Sequence, residues 1–154
     1  MIFVSRAIPI NEPGAARLDR AAVSEGLVRK ANNALPFVPV MSECTVVARY
    51  SETCFDRDIR IGGDEFRERV TLEQPHRVVF TRLSGPVLGT IANEIEGEDE
   101  DEDLQLRFSF ALVLSGVPGN SADERTYAQT MTGDYLQAVT ATRDAMRRIA
   151  GDAA

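Results

Sequence analysis

With 154 residues, 44% of them hydrophobic and 27% charged, the chain has the balance of an ordinary globular protein. Its length suits one domain, 1–154, able to bury roughly two thirds of its unfolded surface. A net charge of −7 repels a nucleic-acid backbone or an anionic membrane, and no basic cluster overrides it, so both are set aside as partners.

Met1 to Ile10 alternates as a strand and ends at the turn-prone Asn11-Glu12-Pro13-Gly14. Its first four residues are too short for a secretory leader, and no run approaches the ~20 apolar residues of a membrane span, so a cytoplasmic location is expected. Asp19 is placed to cap a helix that carries Ala22, Val23, Gly26, Leu27 and Ala31 on one side, and Asn32-Asn33 stops it. Leu35-Pro36-Phe37-Val38-Pro39 reads as an apolar elbow of one helical turn. Six strands follow: Cys44–Tyr50, Cys54–Ile61, Glu65–Glu73, Arg77–Leu83, Val87–Ile95 and Leu104–Ser115. Their connections hold Gly62-Gly63, Gln74-Pro75-His76 and Ser84-Gly85-Pro86, turns so short that the strands must run antiparallel. From Ser121 to about Ile149, Tyr127, Met131, Tyr135, Val139, Met146 and Ile149 form one stripe on a helix about 40 Å long. Asp123 and Glu124 sit at its positive end and Arg147 and Arg148 near its negative end.

The period of two along a strand fixes which residues meet. With Gly62-Gly63 as the turn, partners sum to 125: Ile59 faces Phe66, Phe55 faces Val70, and Arg57 faces Glu68. One strand back, Cys44, Val46 and Ala48 share that face. One strand on, Val78 and Phe80 join it, and Arg82 arrives beside Glu68. Ile91, Asn93 and Ile95 pair with Leu104, Leu106, Phe108 and Phe110, and Leu112 and Leu114 continue the face. The inward surface is therefore aliphatic and aromatic, interrupted by Arg57, Glu68, Arg82 and Asn93. Exposed at a sheet edge, the Arg57–Glu68 pair is worth ~0.2–1 kcal/mol. Buried in a cavity, it costs several kcal/mol per ion unless further hydrogen bonds compensate, and such a group holds a ligand or works on it.

Other chemistry is thin. The single histidine, His76, lies in a turn and reads as a surface residue. No C-x-x-C, G-x-S-x-G, P-loop or post-strand G-x-G-x-x-G is present, so neither a metal nor a nucleotide cofactor is expected. Cys44 and Cys54 are offset by ~16 Å on adjacent strands, too far for a disulfide. The seven carboxylates among Glu96–Asp103 lack EF-hand spacing and read as a solvated hairpin loop.

The order β-α-α-β6-α resembles the helix-grip fold of the START domains and the major birch pollen allergen, the SRPBCC superfamily. Glu25-Gly26-Leu27-Val28-Arg29-Lys30-Ala31, Pro36-Phe37-Val38-Pro39, Gly63 to Val70 ending Arg67-Glu68-Arg69-Val70, Asn93-Glu94-Ile95-Glu96 and Gly116-Val117-Pro118 are together similar to the AtaL-like family. The resemblance implies an α+β fold in which a curved seven-stranded antiparallel sheet wraps a long C-terminal helix, with a hydrophobic cavity between them. Wider relatives bind lipids, sterols and polyketides, and some are cyclases or aromatases. Val23 stands where relatives have a bulky aromatic, which would enlarge a pocket near Gly26.

Three functions follow as expectations. The first is binding of a small hydrophobic or aromatic metabolite, walled by Phe55, Ile59, Phe66, Val70, Phe80, Ile91, Phe108, Phe110, Met131 and Tyr135 and anchored by Arg57, Glu68, Arg82 and Asn93. The second is a cofactor-free cyclase, aromatase or dehydratase of secondary metabolism, with Glu68 as acid or base and Arg57 and Tyr135 at an oxyanion. The third is an apolar face that serves a partner or a homodimer.

Overall fold

The computed structural model describes residues 1–98 and 103–153, apart from the side chains of Tyr135, Leu136, Asp152 and Ala153. In chain order the elements are β1 (Ile2–Pro9), α1 (Arg20–Asn32), β2 (Met41–Ser51), β3 (Cys54–Ile61), β4 (Asp64–Glu73), β5 (Arg77–Ser84), β6 (Val87–Glu96), β7 (Gln105–Leu114) and α2 (Ala122–Ala153). One antiparallel sheet of seven strands runs in the order β1-β7-β6-β5-β4-β3-β2. Curved, it grips the long C-terminal helix, an α+β helix-grip architecture. No described helix is long and apolar enough to cross a membrane.

Local chemistry sets the register. Gly62 and Gly63 both adopt positive φ, 58° and 88°, which a two-residue hairpin turn matched to strand twist demands. That turn places Phe55 opposite Val70, Arg57 opposite Glu68 and Ile59 opposite Phe66. Glu68 meets Arg82 on its other side, and Ile91 and Asn93 meet Phe110 and Phe108. Along β7, Leu106, Phe108, Phe110, Leu112 and Leu114 are buried while their neighbours are not. Asp19 caps α1 by accepting from the Ala22 N–H at 2.8 Å. Two arginines moor that helix to the sheet. Arg20 donates to the Ile95 carbonyl at 3.0 Å, and Arg57 donates to the carbonyls of Lys30 and Ala31.

Helix α2 packs on β1 and β7, whereas α1 packs on β5, β6 and β2. The expected stripe is inward: Met131, Val139 and Met146 are buried, and Tyr127 and Ile149 half-buried. Thr142 and Ala145 complete it.

Three expectations need correction. Edge strand β2 carries a bulge between Val46 and Ala48, so Arg49 rather than Ala48 opposes Phe55; one extra residue on an unpaired edge shifts the alternation. The elbow closes a turn through the Val38 N–H and the Ala34 carbonyl and goes no further, so it adds no second helix before β2. The space beside Gly26 is not a pocket, because Met146 fills it: a Cβ at Gly26 would lie 2.5 Å from the Met146 Sδ.

Candidate functional site

A cavity of about 200 Å³ opens between α2 and the inner face of β3 to β7. Six of the apolar residues named from alternation border it, Ile59, Phe66, Phe80, Ile91, Phe108 and Phe110, together with Met131 from the stripe of α2. Phe55 and Val70 are fully buried but do not border it, because alternation identifies a face and not how far along a strand the helix stands off. At interior packing density roughly six or seven waters would fill the space, which suits one or two fused rings better than a sterol.

All four polar residues expected inside are there. Arg57 and Glu68 are 3% and 2% exposed. The Arg57 Nε donates to Glu68 Oε1 at 3.0 Å, its Nη2 lies 2.9 Å from the same oxygen, and the Arg82 Nε donates to Oε2 at 3.3 Å. Both carboxylate oxygens thus hold a guanidinium. Arg57 also reaches the last carbonyls of α1, at 3.0 and 2.9 Å, where a helix end carries partial negative charge. The guanidiniums lie over aromatic rings, Arg57 4.6 Å from the Phe80 centroid and Arg82 4.2 Å from that of Phe66. Such contacts strengthen as water is excluded.

Sequence reasoning missed Lys30. It is the only lysine in a chain of sixteen arginines, and it is buried at the cavity wall. Its Nζ donates to Asn93 Oδ1 at 2.6 Å and stands 4.3 Å from the Phe108 ring centroid. Burial, and then the Arg57 guanidinium, lower its pKa from 10.5 to about 7, with Glu68 pulling the other way. A signal existed: Lys30 follows Val23 by seven residues and Leu27 by three, on the apolar stripe of α1. Asn93 is fully buried, and its Nδ2 has no hydrogen-bond partner among the described residues.

The mouth lies near Asp64 at the β3–β4 turn and Asp134 on α2, both exposed. Tyr127 also borders the cavity; burial raises its pKa, with Arg82 opposing, so its phenol is a neutral donor. The phenol expected from the sequence, Tyr135, has its side chain outside the described residues. Inside, two guanidiniums and an amine face one carboxylate, an excess of positive charge within a chain of net charge −7.

Elsewhere the chemistry is plain. His76 is exposed. Cys44 and Cys54 are half-buried and form no disulfide. No group of metal-binding side chains occurs among the described residues. Four residues of the acidic loop, 99–102, lie outside the described residues. A shallower hollow of about 590 Å³ on the outer face of β2 to β4 is edged by the exposed Asp58–Arg67 ion pair.

The family described as acetylaranotin biosynthesis cluster protein L (AtaL) matches residues 4–153. No curated protein matches the chain. Among solved structures, the ZhuI aromatase/cyclase from Streptomyces sp. R1128 is similar at 17% identity, over 96% of this chain and 94% of that one, with a TM-score of 0.65. A START superfamily protein from Mycobacterium smegmatis is similar at 16% identity, over 93% and 97%, with a TM-score of 0.59. Ara h 8.0201 is similar at 9% identity, over 94% and 97%, with a TM-score of 0.59. At these identities the likeness establishes the fold.

Proposed function

The chain belongs to the AtaL family, and from that premise we propose that it binds a small aromatic metabolite bearing an anionic oxygen, in the cavity between sheet and α2. One observation carries this reading: in the interior of an apolar cavity, away from the exposed Asp64 and Asp134 at its mouth, two guanidiniums, Arg57 and Arg82, outnumber one carboxylate, Glu68. Uncompensated charge in an apolar interior is costly, and an incoming anion relieves the cost. The rings of Phe66, Phe108 and Phe110 supply the faces for an aromatic ligand. A place in secondary metabolism accords with the biosynthetic cluster that gives the family its name.

Titration with 2-naphthoate, followed by its own fluorescence in a chain that lacks tryptophan, tests the reading. Saturable one-to-one binding is expected, with 2-methylnaphthalene weaker. An Arg82→Gln variant should bind naphthoate at least about tenfold more weakly, the worth of one charge-assisted hydrogen bond. No saturable binding, or equal affinity in the variant, overturns it.

Catalysis at the same place is the second reading, supported by the buried Arg57–Glu68–Arg82 constellation and by a fold shared with an aromatase/cyclase. In it Arg57 and Tyr135 steady an oxyanion while Glu68 moves a proton. Because both Glu68 oxygens already accept from guanidiniums, proton transfer there first requires one of those bonds to open. A Glu68→Gln variant that still binds naphthoate yet loses activity on a carbonyl substrate supports this reading; undiminished activity removes Glu68 from it.

A further inference from the structure

We infer that Lys30 captures carbonyl compounds: inside the cavity its amine condenses reversibly with an aromatic aldehyde or ketone to form an imine. The inference rests on the cavity being a ligand site, and it narrows the ligand to one with a carbonyl close to its ring.

The geometry carries it. Every other basic side chain except His76 is a guanidinium, which stays protonated and attacks nothing. The one amine stands at the cavity wall, buried and 4.3 Å from the Phe108 ring centroid. If this position needed only a positive charge, arginine would serve, as it does at Arg57 and Arg82. No carboxylate lies within ion-pair distance of Nζ among the described residues. The nearby carboxylate, Glu68, is taken by Arg57 and Arg82. A desolvated amine beside another cation is the arrangement that gives a lysine its nucleophilic, neutral form near pH 7, and the value of about 7 accords with it.

A second, independent observation completes the site. The amide that accepts from Nζ through Oδ1 has its Nδ2 buried and unpartnered among the described residues. Nδ2 is thus placed beside the amine, able to donate to a carbonyl oxygen and then to the hydroxyl that forms from it. In the step, the Nζ lone pair forms a bond to the carbonyl carbon while the C=O π pair moves to oxygen. The two amine protons end on that oxygen, which departs as water as the C=N bond forms. No oxidant, reductant or further reactant is needed.

Reductive trapping tests this on the intact wild-type protein. At pH 7.5, 2-naphthaldehyde with sodium cyanoborohydride converts an imine into a stable secondary amine, located by peptide mapping. The expected result is one naphthylmethyl group per chain, on Lys30, formed on the order of several hundredfold faster than on N-acetyl-lysine methylamide. The factor follows from the larger neutral fraction at that pH. Excess 2-naphthoate should suppress it, and a Lys30→Met variant should leave only the chain's amino terminus reactive. If naphthoate binds but Lys30 stays unlabelled, or labels no faster than the free lysine, the imine is overturned and the cavity reading stands. If naphthoate neither binds nor suppresses labelling, the cavity reading fails and the imine with it.

Discussion

Replacing Lys30 by Met removes a buried amine while keeping much of its volume. The charged form of Lys30 is penalised on folding, which is why its pKa falls from 10.5 to about 7. At about 1.4 kcal/mol for each pH unit, the full penalty is roughly 5 kcal/mol. The charged and polar groups acting on the amine are Arg57 on β3, Glu68 on β4 and Asn93 on β6; all are retained in the variant. Between pH 7 and 10.5 the folded wild-type protein binds fewer protons at this residue than the unfolded chain, so its stability rises with pH across that window. Below about pH 7 the penalty is complete and flat. The variant has no such group. Its Asn93 amide loses a partner at every pH, which offsets the whole curve but not its slope. Urea unfolding followed by far-UV circular dichroism should therefore show wild type gaining about 2 kcal/mol on Lys30→Met between pH 7 and 9. Parallel stability curves from pH 6 to 9 would mean that the amine titrates as if in water, and would refute the reasoning.

Other outcomes follow from the same geometry. Arg57→Leu leaves Glu68 with Arg82 alone and frees the last carbonyls of α1, and should cost about 3–5 kcal/mol in chemical unfolding; a loss under 1 kcal/mol would mean that the pair is solvated. Gly26→Ala drives a methyl into Met146 and should lower stability by about 1–3 kcal/mol in thermal unfolding, a cost that should vanish when the same change is made in a Met146→Ala background. Phe110→Trp enlarges a side chain on the cavity wall and should weaken 2-naphthoate at least about tenfold; unchanged affinity would put the ligand elsewhere.

Much of the scaffold was legible because period-two alternation and glycine-bearing turns act locally. The pair of glycines at 62 and 63 sets the register that brings Arg57 to Glu68, and Asn93 follows from pairing with β7. What escaped depends on elements that meet only in three dimensions. The bulge at Val46/Ala48 leaves no mark in an edge strand whose residues there alternate only between half-buried and exposed, with none fully buried. Met146 lies 120 residues from Gly26, so nothing local reports that it plugs the gap beside that glycine. Lys30 sits on an apolar stripe, where a single polar residue reads as a snorkelling surface cation until the sheet is seen to close over it. Phe55 and Val70 share a face with the cavity wall without bordering it, because the stand-off of α2 varies along the sheet.

A crystal structure of the protein with 2-naphthoate tests the central claim most directly. The account predicts rings stacked among Phe66, Phe108 and Phe110, with the carboxylate within about 3.2 Å of Arg82, Lys30 or Asn93 Nδ2. Naphthoate bound outside the sheet–helix cavity, or a carboxylate turned away from those three groups toward solvent, would contradict it.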